Sequence, residues 1–114
     1  MAKDDYHVIV YKILLYLYTQ LKKGEPVDRT KLSCDSKALQ IPKKYWEFIL
    51  ENMQREGLIR GLDPEKAAQK ENTIEEQLEN IQITVKGIDM LADNASIEKV
   101  NRLLQNVVRQ IPGL

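Results

Sequence analysis

Six polar side chains between residues 29 and 44 have the chemistry of nucleic-acid contact. Guanidinium and ammonium groups bind phosphate oxygens or the acceptor edge of guanine, and a glutamine amide pairs with adenine. The alternative is a solvated face that binds nothing, because runs of charge usually lie in water. The candidates for contact with a DNA groove are Lys37, Gln40, Lys43 and Lys44, and the candidates for contact with the flanking backbone are Arg29 and Lys31.

Residues that most often carry catalysis or bind metal are scarce in this chain. One Cys and one His are too few for the three or four soft ligands of a zinc site, and Cys34 has no partner for an internal disulfide. No nucleophile elbow and no glycine-rich phosphate loop is present. His7 is interpreted as a surface or half-buried residue. We therefore expect no enzyme activity, no metal and no cofactor, and the sequence implies no small-molecule ligand.

The length and composition indicate one domain over residues 1–114. The chain has 114 residues, and its 43% hydrophobic content is enough for one core without disulfides. The charged start of the chain lacks the pattern of a secretory signal, and no apolar run approaches the ~20 residues of a membrane span. A cytoplasmic protein without membrane contact is the expectation.

A formal net charge of zero hides an uneven distribution of charge. Residues 1–60 carry 11 Lys and Arg against 8 Asp and Glu, a net of +3, and residues 61–114 carry 6 against 9, a net of −3. Between Gly61 and Asn80, six acidic residues stand against two lysines, a net of −4. The first half thus has the local positive charge that a DNA reader needs, whereas the acidic stretch would repel a DNA backbone.

Helical periodicity predicts three helices in the first half of the chain, over residues 5–23, 28–39 and 42–56. Asp28 is a plausible N-cap for the short second helix, which points Leu32 and Leu39 inward. The third helix has Pro42 at its first position and ends at Gly57. Its predicted buried stripe is Tyr45, Trp46, Ile49, Leu50 and Met53, and its predicted outward face is Lys43, Lys44, Glu47, Glu51, Gln54 and Arg55.

A change of period after the third helix predicts a small β-hairpin. Residues 58–61 and 80–83 can pair as antiparallel strands, which gives a wing of about residues 58–83. The polar stretch between them is long for a hairpin loop, so we expect a mobile loop with one helical turn starting near Asp63. Thr84 then caps a fourth helix that carries Ile88 and Leu91 and ends near residue 93.

The first helix is apolar on two sides and therefore needs two partners. A fifth helix, predicted over residues 96–111, has a heptad-like seam of the right length to cover the second side. It could do so within one chain, or in a second copy, which would make the protein a homodimer. The residues expected at this seam or interface are Tyr11, Leu15, Tyr18, Leu104 and Val107.

The order of helix, short helix, helix, hairpin and helix is that of a winged helix-turn-helix, a mainly α (α+β) fold with a two-stranded wing. Here a C-terminal helix is added. Two segments carry a more specific resemblance. In residues 52–59, Glu56 and Gly57 end a helix and lead into a strand; residues 83–91 have the pattern Ile-Thr-x-Lys-Gly-x-x-x-Leu between a strand and a helix.

Together these features resemble the YjcQ-like family of small winged-helix proteins from Firmicutes and their phages, over roughly residues 6–104. The long acidic wing departs from the family pattern. The resemblance implies the winged-helix fold, and with the basic first half it favours a DNA-binding, phage-type transcriptional regulator. The alternative is a non-catalytic protein interaction or dimerisation module on the same scaffold, without DNA binding.

Overall fold

The computed structural model describes residues 5–70 and 72–93. They form a mainly helical α+β fold, as predicted, in which a small antiparallel sheet joins the helices. The elements in chain order are α1 (Asp5–Lys23), α2 (Arg29–Leu32), α3 (Lys43–Arg55), β1 (Ile59–Arg60), α4 (Pro64–Ala68), α5 (Ile74–Gln77), a 3₁₀ turn (Leu78–Asn80), β2 (Gln82–Ile83) and α6 (Val85–Asp93).

Helix α1 is the centre of the hydrophobic core and has the predicted bounds. It contacts α3, α6 and β2, and Ile13 and Leu14 are among its fully buried residues. The Tyr16 hydroxyl accepts a hydrogen bond from the backbone N–H of Asp28 at 2.9 Å, which ties the end of the following loop to the helix. Burial of apolar side chains on several sides of α1 is the main stabilising contribution of this helix.

The second helix is shorter than predicted. Asp28 is its N-cap, as expected, and accepts from the Thr30 backbone N–H at 2.9 Å, but the helix ends at Leu32 and turns occupy residues 33–39. Short polar side chains compete with the helical backbone, and Ser33 donates to the Asp35 carboxylate at 2.8 Å. Leu32 and Leu39 are nonetheless both buried, as predicted, at either end of this segment.

Helix α3 presents most of its predicted stripe to the core. Trp46 is fully buried together with Ile49, Leu50 and Met53, while Tyr45 is half-buried. The Trp46 indole N–H donates to the Leu32 carbonyl at 2.8 Å, which fixes α3 against α2. The predicted buried stripe is therefore confirmed, with Tyr45 at its edge.

The ends of α3 differ slightly from the prediction. Pro42 is the N-cap rather than the first helical residue. Gly57 follows the C-cap and has φ +82°, a left-handed conformation that favours glycine. The prediction that Gln54 faces outward is wrong. Its amide accepts from the Leu62 backbone N–H at 2.7 Å and donates to the Leu62 carbonyl at 2.8 Å, so it holds the chain that follows β1.

The predicted hairpin is confirmed, and it joins the two segments that carry the family resemblance. Strands β1 and β2 pair with Ile59 opposite Ile83. The Thr84 hydroxyl donates to the Gly57 carbonyl and accepts from the Gly87 backbone N–H, which confirms it as the cap of α6. A Cβ on Gly87 would clash with the Leu58 carbonyl oxygen. The two segments therefore form one joint, in which only glycine fits at position 87.

The helical turn predicted near Asp63 is confirmed as α4, but the rest of the stretch between the strands, expected to be a mobile loop, is also folded. We call residues 62–80 the acidic segment; within its described part lie α4, α5 and the 3₁₀ turn. Asp63 caps α4, and Thr73 forms a capping box with Glu76 at the start of α5. Ile74 and Leu78 are buried, so the segment packs on the rest of the protein rather than extending into solvent.

The fifth helix predicted over residues 96–111 lies outside the described residues. Across residues 5–70 and 72–93, no helix is both long enough and apolar enough to cross a membrane.

Candidate nucleic-acid interface

The six candidate contact residues lie on α2, on the turn after it and at the start of α3. Lys37, Gln40 and Lys44 are exposed, and Lys31 is half-buried. Gln40 has a left-handed backbone at φ +47°, which bends the chain into the turn before α3. The structure thus presents three of the predicted groove contacts to solvent, on one continuous stretch of chain.

Backbone hydrogen bonds hold the turn that carries Lys37 and Gln40 in place. The Ile41 N–H donates to the Cys34 carbonyl at 2.9 Å, and the Gln40 N–H donates to the Ser36 carbonyl at 3.0 Å. The ammonium of Lys12, on α1, donates to the Ala38 carbonyl at 3.0 Å. These hydrogen bonds fix the turn that carries the exposed side chains. Lys12, one of the lysines of the basic half, stabilises this turn.

The other two candidates are already paired with carboxylates of the acidic segment. Lys43 Nζ lies 3.1 Å from Glu75 Oε1, and Arg29 Nε lies 3.6 Å from Glu79 Oε2. The hydrogen bond and the negative charge of Glu75 raise the pKa of Lys43 above its usual value. These side chains are about half exposed, so each pair contributes little to stability. These ion pairs matter because Lys43 and Arg29 are two of the cations predicted to contact DNA.

Burial explains why the acidic segment lies beside α2 and α3. Leu78 is 1% exposed at the start of the 3₁₀ turn, and this turn contacts α2. The buried amide of Gln77 accepts from the Asp63 backbone N–H and donates to the Asp63 and Asn72 carbonyls, which links both ends of the segment. Packing and hydrogen bonds thus hold the carboxylates near the basic residues.

An aromatic ring that sequence reasoning passed over lies on the exposed side of α3. Phe48 is 55% exposed, and its ring meets that of Tyr6 edge to face with centroids 6.4 Å apart. Lys44 and Arg55 lie on the same side, four and seven residues away, at helical spacing. A helical wheel of α3 already places Phe48 outside the stripe of buried residues, so the sequence could have indicated that this ring is exposed.

The two glutamates expected in the middle of this exposed side are less prominent than predicted. Glu47 and Glu51 are both half-buried, and Glu47 lies close enough to Lys43 to favour its charged form. On the solvent-facing side of α3, Lys44, Phe48 and Arg55 are therefore more exposed than the two glutamates.

The predicted seam or interface residues are described only in part. Tyr11 and Leu15 are buried in the single chain, and Tyr18 is half-buried with Lys22 Nζ 5.4 Å from its ring centroid. Leu104 and Val107 lie outside the described residues. The choice between an internal seam and a subunit interface therefore stays a prediction.

Groups with catalytic or metal-binding chemistry are not brought together in the described part of the chain. His7 is exposed, with its ring edge-on to Tyr6 at 5.2 Å, and Cys34 is a half-buried free thiol. Within the same described ranges, no group of three or more His, Cys, Asp or Glu side chains is placed to hold a metal ion.

Comparison with known proteins gives one result, at the level of the family. No curated protein and no solved structure matches the chain. A family model described as YjcQ protein matches residues 11–110, which include the candidate contact residues and both segments that carry the resemblance. Because this match covers most of the sequence, the chain belongs to the YjcQ protein family.

Proposed function

We propose that this chain is a cytoplasmic winged-helix DNA-binding protein that acts as a transcriptional regulator of phage type and catalyses no reaction. In this assignment α3 is the recognition helix, and the hairpin with the acidic segment is the wing. The observation that carries the proposal is the exposure of Lys37, Gln40 and Lys44 on a turn that hydrogen bonds fix at the amino end of α3.

Helix-turn-helix proteins present the amino end of the recognition helix to base edges in the major groove. Lys44 and Gln40 suit contacts with phosphate, guanine or adenine, and Phe48, one turn further on, suits apolar contact with a thymine methyl group. With a net charge of zero over the whole chain, the long-range attraction to DNA is weak. We expect modest affinity that falls steeply with salt.

Fluorescence anisotropy with a labelled duplex, titrated at several salt concentrations, tests the proposal. The variant Lys37→Ala/Lys44→Ala should bind more weakly, and its plot of log affinity against log salt should be shallower by roughly 0.9 for each phosphate that a lysine no longer neutralises. The matched control is Lys66→Ala/Lys86→Ala, which removes the same charge from exposed lysines of α4 and α6.

Equal effects of the two double variants would mean that only total charge matters, and that α3 has no special role. No measurable binding of the wild type at ~50 mM salt would reject DNA binding altogether.

Exposed Phe48 supports a second candidate, a protein interaction module without DNA binding. A large exposed aromatic is typical of a contact residue at protein interfaces. Phe48→Ser should then abolish binding of a protein partner, whereas the DNA proposal expects a loss of DNA affinity. Light scattering of the wild type and of Leu104→Glu tests the homodimer; a monomeric wild type would exclude it.

A further inference from the structure

Hydrogen bonds and buried side chains fix the acidic segment to the rest of the protein. Gln54 of α3 holds the Leu62 backbone at the start of the segment, and Gln77 joins α5 to Asp63 through its side-chain amide. The side chains of Ile74 and Leu78, in the same segment, are buried. The carboxylates of the segment are therefore held beside α2 and α3.

Two of these carboxylates meet cations that a DNA backbone would otherwise attract. Glu75 lies against Lys43 at the first residue of α3, and Glu79 lies against Arg29 at the first residue of α2. A carboxylate resembles a phosphate oxygen in charge and in hydrogen bonding, since both accept from ammonium and guanidinium groups. Because they belong to the same chain, the carboxylates compete at a high effective concentration.

We propose that the acidic segment is an internal competitor for nucleic acid, in which Glu75 and Glu79 occupy Lys43 and Arg29 in place of two DNA phosphates. This inference rests on the proposed function, because it concerns the same DNA-binding surface. It explains why a strongly acidic wing is folded onto the basic half. The pairs are solvent-exposed and individually weak, so DNA or a cationic partner can displace them.

The competition predicts a defined change in salt dependence. In the wild type, Lys43 and Arg29 contribute little counterion release, because carboxylates already neutralise them. In Glu75→Gln/Glu79→Gln both cations become available to phosphates, and each phosphate they neutralise steepens the salt slope by about 0.9. Two phosphates add about 1.8 to the slope, which corresponds to about tenfold more loss of affinity between ~50 and ~200 mM salt.

A control with the same change of net charge separates this effect from general attraction. Glu65→Gln/Asp89→Asn removes two negative charges from exposed positions of α4 and α6, at which the structure describes no ion pair with α2 or α3. This control should raise affinity slightly and leave the slope near that of the wild type. Both variants change only exposed or half-buried carboxylates to amides of the same shape, so both should fold.

The outcome of anisotropy titrations on the three proteins decides the question. A steeper slope for Glu75→Gln/Glu79→Gln alone supports the internal competitor. Equal slopes for all three proteins, with clear binding, overturn it and leave DNA binding standing. A failure of all three to bind at ~50 mM salt overturns both the competitor and the proposed function. The rate of reductive methylation of Lys43, followed by mass spectrometry, should rise in the variant and gives a readout without DNA; an unchanged rate would count against the pairing.

Discussion

Replacing Gln77 by alanine is expected to loosen the acidic segment, because this buried amide joins the parts of the segment that are distant in sequence. Gln77 is 2% exposed. Its oxygen accepts from the Asp63 backbone N–H, and its nitrogen donates to the Asp63 carbonyl at 3.0 Å and to the Asn72 carbonyl at 2.7 Å. One side chain thus connects α5 to the residues on both sides of α4.

The expected cost follows from these three hydrogen bonds. Each is worth about 1 kcal/mol net, so the set contributes about 3 kcal/mol to folding. Water can reach part of the exposed backbone and lower the cost, whereas the lost packing of the side chain raises it, so we expect about 2 to 4 kcal/mol. Domains of this size unfold with about 5 to 15 kcal/mol, so the loss is measurable.

Two measurements separate global from local loosening. Urea unfolding followed by the fluorescence of Trp46, the single and fully buried tryptophan, reports the free energy of unfolding of the whole fold. Hydrogen exchange of the Asp63 amide reports the opening of the segment alone. Gln77→Glu sharpens the test, since a carboxylate still accepts from the Asp63 N–H but cannot donate to either carbonyl. It should destabilise more than alanine at neutral pH and recover on acidification, when the carboxyl regains a donor.

Gln69→Ala is the control, because Gln69 lies exposed at the end of α4 and no hydrogen bond of its side chain is described. A Gln77→Ala variant that unfolds like this control, with unchanged exchange at Asp63, would refute the role given to Gln77. It would also remove the support on which the internal competitor depends.

Three further substitutions test the rest of the fold. Gly87→Ala places a Cβ against the Leu58 carbonyl oxygen and should lower stability by about 1 to 3 kcal/mol despite the better helix propensity of alanine. Thermal unfolding should show a larger loss than for Gly24→Ala, where nothing lies within 4 Å and only the positive φ opposes the change; equal losses would reject the close approach. Asp28→Ala should cost about 1 kcal/mol through loss of the N-cap. Hydrogen bonds from Thr30 hold the pKa of Asp28 below its usual value of 3.8, so this contribution is present above pH 3.8 and is lost as the pH falls through the lowered pKa. Thermal scans of wild type and Asp28→Ala should therefore converge in strong acid, and a constant difference would contradict the cap. Trp46→Phe leaves the Leu32 carbonyl without its donor and should cost about 1 to 3 kcal/mol in urea unfolding followed by circular dichroism, whereas a neutral effect would show that this bond is replaceable.

The helices and strands that the sequence predicted correctly are those with strong local signals. Helix α1 has a long apolar period with a glycine after it, Asp28 and Thr84 have the chemistry of caps, and the hairpin strands alternate. These signals act over one or two turns of chain and do not depend on distant residues. They were sufficient for the α+β class and, with two short motifs, for the family.

Apart from the helical turn near Asp63, the folded elements of the acidic segment were not predicted, because they are too short for periodicity to indicate. Helix α5 has four residues, and α4 has five. Isolated helices of this length are not stable in water, so their structure depends on contacts with the rest of the protein. Here Gln77, Ile74 and Leu78 supply those contacts, and none of them marks a helix by itself in a polar sequence.

Some features of the candidate interface follow from the sequence, and others follow only from the fold. The sequence by itself determined which residues carry positive charge, that residues 1–60 have a net charge of +3 and residues 61–114 a net charge of −3, and that Lys37, Gln40 and Lys44 surround the start of a helix. Only the tertiary structure decided that Glu75 and Glu79 meet Lys43 and Arg29, since ion pairing across more than thirty residues of chain depends on how buried side chains place the backbone. Composition gives the number of charges, whereas folding decides which of them remain available to a partner.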